Sequence, residues 1–232
     1  MIKNILWDLD NTLIDFDIAE KNAIEYLFEK YNLGSCTKQM LKTYKKINKL
    51  YWKKIEKNEI SKKDGLIQRY IDFFNIYNID KNIATQFNEE YQHALGDTIV
   101  YLDDSYEIVK SLKGKINQYL VSNGSSKAQR KKLKNSKFDT LFDNIFLSEE
   151  TGYEKPHEEF FNYVFEKIGL KDKSSTIIVG DSITSDIQGG VNAGIKTVWY
   201  NRFGKGHNKN PRVDYEIRNL KEIYDIIDIK MV

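Results

Sequence analysis

Cysteine is almost absent from this sequence, since Cys36 is the only one among 232 residues. A single cysteine cannot form a disulfide within the chain, and we expect a reducing, cytoplasmic setting. The sequence places none of its three histidines beside Cys36. A nucleophilic thiol would therefore lack an activating base, and we do not expect one.

Long apolar runs and an excess of one charge are also missing. No uncharged apolar stretch is long enough for a signal peptide or a membrane span, so we expect no membrane partner. Lysine and arginine number 36 against 34 aspartates and glutamates, a net charge of +2. This near balance gives no general affinity for nucleic acid. With 41% hydrophobic and 30% charged residues, the composition is typical of a soluble globular protein. We expect a monomer or a homodimer.

Two carboxylates stand where the first apolar segment ends. Residues 5–7 are Ile-Leu-Trp, and Asp8 and Asp10 follow. On an extended chain, residues i and i+2 face the same side, and ligands of open α/β sheets bind beyond the carboxyl ends of the strands. Two such close acids resist joint ionisation, so one can be an anionic nucleophile or metal ligand while the other donates a proton. A helix N-cap would explain only one of them.

Three later segments carry polar groups in similar places. The predicted strand 117–121 ends in Ser122-Asn123-Gly124, and the predicted strand 176–179 is followed by Asp181 and Asp186. Lys155 precedes a proline, which restricts that lysine to extended backbone geometry. Each of these residues, taken alone, could instead be an ordinary turn, surface or helix-cap residue. Together with the first acid pair they indicate one reactive site.

These four segments resemble the motifs of the haloacid dehalogenase superfamily of aspartate-dependent phosphohydrolases. The resemblance extends from residue 2 to about residue 200 and lacks none of the four motifs. It implies that Asp8 is the nucleophile, that Asp10 is the general acid and base, and that Ser122 and Lys155 assist catalysis. The phosphate would be bound by Thr12, Ser122, Asn123 and Lys155.

The same resemblance implies a magnesium cofactor. Its ligands would be the Asp8 carboxylate, the Asp10 backbone carbonyl and Asp181. Asp186 would act through water or orient Lys155. Hard oxygen ligands of this kind suit Mg²⁺.

The chain is predicted to contain two modules. Apolar residues in segment 17–95 recur every three or four positions and predict four helices, which would pack as a bundle. Strands alternate with helices from about residue 100, which is typical of a parallel sheet. We therefore predict a Rossmann-like α/β core of residues 1–16 and 96–232, with an all-helical cap at 17–95. In the superfamily it resembles, a helical insertion at this point covers the active site.

A closer resemblance bears on the substrate. Segments 47–52, 148–152 and 182–194 are similar to the YjjG-type pyrimidine 5′-nucleotidases, which implies nucleoside monophosphates such as dUMP, dTMP and UMP as substrates. Asn48 and Trp52 are then candidate specificity residues, although aromatic residues of such an insertion, Trp52 among them, are more often bundle core. A phosphatase for sugar phosphates or phosphoglycolate is the alternative. A dehalogenase or a non-catalytic binding protein is disfavoured, because neither needs this set of acids.

A basic stretch at 127–134 directly follows the second motif. Five of its eight residues are lysine or arginine. We interpret it as the solvated face of a surface helix rather than a nucleic-acid site.

Overall fold

The computed structural model describes residues 1–206 and 211–228. It divides into two compact units, one of Met1–Phe16 with Ile99–Val232 and one of Asp17–Thr98. The sequence placed the second junction at residues 95 and 96, a few residues earlier. Within the described ranges, no helix combines the length and apolarity that a membrane crossing requires.

A six-stranded sheet forms the frame of the first unit. Its strands are β1 (Asn4–Trp7), β2 (Asn117–Ser122), β3 (Asn144–Leu147), β4 (Thr176–Gly180), β5 (Lys196–Tyr200) and β6 (Tyr215–Ile217). They lie in the order β3-β2-β1-β4-β5-β6, and every neighbouring pair is parallel. The predicted parallel α/β fold is confirmed.

Four helices make up the second unit. They are α1 (Phe16–Lys30), α2 (Lys38–Glu56), α3 (Lys62–Ile76) and α4 (Ala84–Ala94). The four predicted helices are therefore present. Helix α3 begins after Ser61, whose side chain accepts a hydrogen bond from the Asp64 amide.

The remaining helices cover the sheet. They are α5 (Ser105–Leu112), α6 (Ser126–Asn135), α7 (Ser148–Thr151), α8 (Glu158–Lys167), α9 (Gln188–Ala193) and α10 (Ile223–Ile227). Ile5 and Trp7 of β1 pack in one apolar core with α5 and α10, whereas Leu6 packs in a second core with α8. Successive side chains of a strand point to opposite faces, so a strand buried on both faces reads as one continuous apolar run.

The helical unit buries a polar network among its aromatic side chains. Asn48 donates to Glu20 at 2.8 Å and accepts from Arg69 at 2.6 Å. Arg69 also donates to Asn88 at 3.0 Å and is only 1% exposed. Its guanidinium carbon lies 5.0 to 5.9 Å from the ring centroids of Tyr44, Tyr70 and Tyr91. A buried charge such as that of Arg69 needs such partners, since removing its partners leaves the charge uncompensated.

Glu20 should make the stability of the protein depend on pH. Burial raises its pKa from 4.5 to about 7. The folded chain therefore binds more protons than the unfolded chain between these two values, and the free energy of unfolding falls as pH rises through this window. The stabilisation is fully present below pH 4.5 and is lost above about pH 7. A shift of this size corresponds to about 3 kcal/mol.

The Glu20→Gln variant removes this titration, and chemical denaturation across the window measures the effect. We expect the difference in unfolding free energy between wild type and variant to change by about 3 kcal/mol between pH 4.5 and about pH 7. Glu29→Gln is the matched control, because Glu29 is exposed on the same helix. Parallel pH curves for wild type and Glu20→Gln would disprove the assignment.

Candidate active site

The predicted site residues of the four motifs lie at the carboxyl ends of neighbouring strands. Strand β1 lies between β2 and β4, and Trp7 is in register with Leu120 on one side and Val179 on the other. The three strands therefore end within two residues of one another in register. Asp8 follows β1, Ser122 is the last residue of β2, and Asp181 follows β4.

Lys155 is held among three acceptors. Its ammonium donates to Asp8 Oδ1 at 2.8 Å, to Asp186 Oδ1 at 2.6 Å and to the Val121 carbonyl at 2.8 Å. The side chain is 1% exposed. Burial opposes the charge of the lysine, but Asp186 and Asp8 outweigh it and raise the pKa of Lys155 above its ordinary value. Lys155 is thus a fixed cation beside the carboxylate of Asp8.

Asp8 is buried and contacted on both oxygens. Oδ1 accepts from Lys155, and Oδ2 accepts from the Thr12 hydroxyl at 3.0 Å. Burial raises the pKa of Asp8 to about 7, and the nearby Asp186 carboxylate adds to the rise. The Thr12 hydroxyl also accepts from the Asp181 amide at 3.1 Å. Thr12 therefore links the loop that follows β1 to the loop that follows β4.

Asp186 uses both carboxylate oxygens inside the protein. Oδ1 accepts from Lys155 at 2.6 Å, and Oδ2 accepts from the Ser182 amide at 3.1 Å. A β-carbon on Gly180 would come within 2.2 Å of this carboxylate, so only glycine fits there. The segment that carries Asp186 begins with a cap by Ser182, whose hydroxyl accepts from the Ser185 amide at 3.2 Å. Asp186 therefore contacts the Lys155 ammonium through one oxygen and the amide of the capping residue Ser182 through the other.

Three acids converge beside this lysine. One carboxylate oxygen from each of Asp8, Asp181 and Asp186 lies within 4.8 Å of the others. Burial raises the pKa of Asp181 well above its ordinary value, and the charges of Asp8 and Asp186 add to the effect. Three carboxylates against one ammonium leave negative charge uncompensated, and hard oxygen donors suit a divalent cation such as Mg²⁺. The residues present therefore fit the cofactor that the sequence implied.

The loop after β2 is fixed to the lysine as well. The Asn123 side chain accepts from the Lys155 amide at 2.9 Å and donates to the Lys155 carbonyl at 2.7 Å. The Ser122 hydroxyl accepts from Gln129 at 2.6 Å and from the Gly124 amide at 3.3 Å. Asn123 thus holds the backbone of Lys155, and its phosphate-binding role stays a prediction.

Asp10 is bound by two residues that the sequence did not predict for the site. The Lys132 ammonium lies 2.7 and 2.9 Å from its two carboxylate oxygens, and the Gln129 amide donates to Oδ2 at 3.0 Å. The interpretation of segment 127–134 as a solvated face is wrong at Lys132, which is 1% exposed. The amphipathic spacing of the segment could have indicated the burial of Lys132, since positions 128, 129, 132 and 133 share one helix face.

The two candidate specificity residues lie in different surroundings within the helical unit. Asn48 is 6% exposed, and its amide both donates and accepts inside the polar network described above. Trp52 is half-buried, and the ammonium of Lys62 lies 6.0 Å from its ring centroid. Substrate recognition by either residue stays a prediction, and Asn48 has in addition an evident structural role.

Comparison with known proteins decides the family. The model of the haloacid dehalogenase-like hydrolases matches residues 5–200. The chain belongs to this family. YfnB, a HAD-hydrolase of Bacillus subtilis, is 35% identical over 98% of this chain and 96% of its own. The crystal structure of magnesium-bound YfnB superposes with a TM-score of 0.91 at 34% identity, covering 98% of this chain and 99% of that one.

Two pyrimidine 5′-nucleotidases are also similar to this member of the haloacid dehalogenase-like family. PynA of Streptococcus pneumoniae is 31% identical, over 97% of this chain and 95% of its own. YjjG of Escherichia coli is 26% identical, over 96% of each chain. The predicted resemblance to these nucleotidases is confirmed.

Proposed function

We propose that this protein hydrolyses phosphate monoesters with Mg²⁺ as cofactor, and that its substrates are pyrimidine nucleoside 5′-monophosphates. The main support for this reaction is the position of the Asp8 carboxylate at the end of β1, where Lys155 and Thr12 hydrogen-bond to it. Asp10 follows two residues further along the chain. Similarity to PynA and YjjG supports the substrate class.

The first half-reaction forms an aspartyl-phosphate. An oxygen of Asp8 attacks phosphorus, and the bond between phosphorus and the ester oxygen breaks. Asp10 gives its proton to the departing alkoxide. The Lys155 ammonium offsets the charge of the transferring group.

The second half-reaction returns the enzyme to its starting state. Asp10, now ionised, takes a proton from a water molecule whose oxygen attacks phosphorus. The bond between phosphorus and Asp8 breaks, which releases inorganic phosphate and the free carboxylate. Ser122 accepts its hydrogen bonds from Gln129 and Gly124, so its own proton can be donated to a phosphoryl oxygen.

A magnesium ion would be held by Asp8 and Asp181, with the Asp10 backbone carbonyl as a further ligand. When bound, it supplies positive charge against the phosphoryl oxygens. Asp186 has both oxygens occupied by Lys155 and Ser182, which fits a supporting position beside the ion.

A substrate panel tests the proposal. We expect kcat/KM for dUMP, dTMP and UMP to exceed that for sugar phosphates and phosphoglycolate by roughly tenfold or more, since discrimination rests on contacts to the leaving group. AMP is the matched control for the base, and p-nitrophenyl phosphate for the phosphoryl group alone. A preference for a sugar phosphate would mean that sugar phosphates, and not pyrimidine nucleoside monophosphates, are the substrates. Absence of turnover with every ester, or release of halide from a 2-haloacid, would reject the proposed phosphohydrolase activity.

A further inference from the structure

The carboxylate of Asp10 lies between two side chains of helix α6. Lys132 bonds both of its oxygens, at 2.7 and 2.9 Å, and Gln129 bonds one of them at 3.0 Å. The Gln129 amide nitrogen also donates to Ser122 at 2.6 Å. Both α6 side chains are at most 1% exposed. Asp10 is therefore fixed at both oxygens, and one of its partners is shared with Ser122.

The local sequence builds this arrangement. Helix α6 begins directly after the Ser122 loop, where the Ser125 hydroxyl accepts from the Ala128 amide at 3.4 Å. Residues 129 and 132 are three apart on a helix and so lie on one face. Gly124 leaves the space that Gln129 fills, because a β-carbon there would lie 2.5 Å from the glutamine amide carbon.

A buried lysine at this position has no packing explanation. Methionine would fill a similar volume without the cost of burying an ammonium. The ammonium of Lys132 instead lies against the Asp10 carboxylate and 4.9 Å from the centroid of the Phe16 ring. Both contacts stabilise a cation at one place, and that place is defined by Asp10.

The proposed reaction demands a fixed Asp10. The same carboxyl group must reach the leaving oxygen in one step and the attacking water in the next. Small misplacements of a reacting group lower the rate steeply, about a hundredfold for an ångström. Contacts to both oxygens restrict rotation of the side chain in both steps.

We propose that Lys132, assisted by Gln129, is a positioning residue that sets the orientation of Asp10 for proton transfer. The inference rests on the proposed function, and it adds a second lysine with a task distinct from that of Lys155. Lys155 acts at the phosphoryl group, whereas Lys132 acts on the leaving-group side through Asp10.

The experiment compares Lys132→Met, Lys132→Arg, Asp10→Asn and the double variant Lys132→Met with Asp10→Asn. We expect Lys132→Met to lower kcat for dUMP about 10- to 100-fold with KM within about threefold. The loss should be smaller for phosphoenzyme formation from p-nitrophenyl phosphate, whose leaving group needs little protonation. Lys132→Arg should restore most of the rate, because a guanidinium can bond both carboxylate oxygens.

The double variant is the decisive measurement. If Lys132 acts through Asp10, its loss costs little once Asp10 is gone, so the double variant should match Asp10→Asn within about threefold. Lys134→Met is the control, since Lys134 is exposed on the same helix and should retain wild-type kinetics. Additive losses, or equal losses for good and poor leaving groups at an unchanged melting temperature, would overturn the proposal.

Two further results keep the inference separate from protein stability and from the proposed function. If Lys132→Met does not fold, Lys132→Gln replaces it in the same experiment. The double variant of Lys132→Gln with Asp10→Asn should again match Asp10→Asn within about threefold, and additive losses would overturn the proposal. If wild type hydrolyses phosphate esters and Asp10→Asn is impaired but the cycle is additive, the inference alone fails. If wild type hydrolyses none of them, the proposed function fails first.

Discussion

Asp8→Asn is expected to lower kcat for every phosphate ester by about a thousandfold or more, because the neutral amide lacks the anionic oxygen that attacks phosphorus. The variant should keep its fold. Lys155 retains Asp186 and the Val121 carbonyl as acceptors, and Thr12 can donate to the amide oxygen instead. Steady-state rates with p-nitrophenyl phosphate, together with a search for phosphoenzyme by mass spectrometry, measure the effect.

A matched substitution controls for the loss of a carboxylate as such. Asp139 is exposed on the same unit, and Asp139→Asn should have wild-type rates. A tenth or more of wild-type activity in a folded Asp8→Asn protein would mean that another group attacks phosphorus. Phosphoenzyme found in wild type and missing from Asp8→Asn would support the covalent route.

Chelation of divalent metal is the second large effect expected. Three carboxylates face one lysine in this site, and without a cation their negative charge repels the phosphoryl oxygens. We expect excess EDTA to lower the rate about a hundredfold or more and added Mg²⁺ to restore it. Ca²⁺ should restore little, since its larger and looser coordination shell disturbs in-line attack by Asp8.

Asp181→Asn ties this effect to the site. Removing one carboxylate should raise the Mg²⁺ concentration for half-maximal activity about tenfold or more. The rise in melting temperature on addition of Mg²⁺ should shrink in parallel, which is a readout independent of turnover. Full turnover of wild type in excess EDTA is incompatible with the metal assignment.

The parts of the site that were predictable share a local signal. Asp8 and Asp10 directly follow an apolar run, and Asp181 follows another, so strand ends and acids could be identified together. That β1 would lie between β2 and β4 depends on pairing between distant segments. Asn4 and Thr176, which hydrogen-bond across two of these strands, are 172 positions apart. No local pattern contains that information.

The unpredicted parts share a different cause. Lys132 and Asn48 are polar residues on buried helix faces, whereas polar character by itself predicts exposure or ligand contact. Their burial is possible only because Asp10, Glu20 and Arg69 supply partners from elsewhere in the chain. A single polar residue on an apolar helix face therefore indicates a buried partner as readily as a ligand.

The central position of β1 has a consequence for synthesis of the protein. This strand is synthesised before both of its neighbours, which begin at Asn117 and Thr176. Its apolar side chains and backbone groups therefore have no sheet to join until those later segments have been made, while the contiguous helical unit can form its short-range contacts. The nascent chain thus carries β1 as an unpaired apolar segment that is prone to aggregation. Variants that slow the closing of β4 onto β1 should first reduce the yield of folded protein rather than the activity of each molecule that folds.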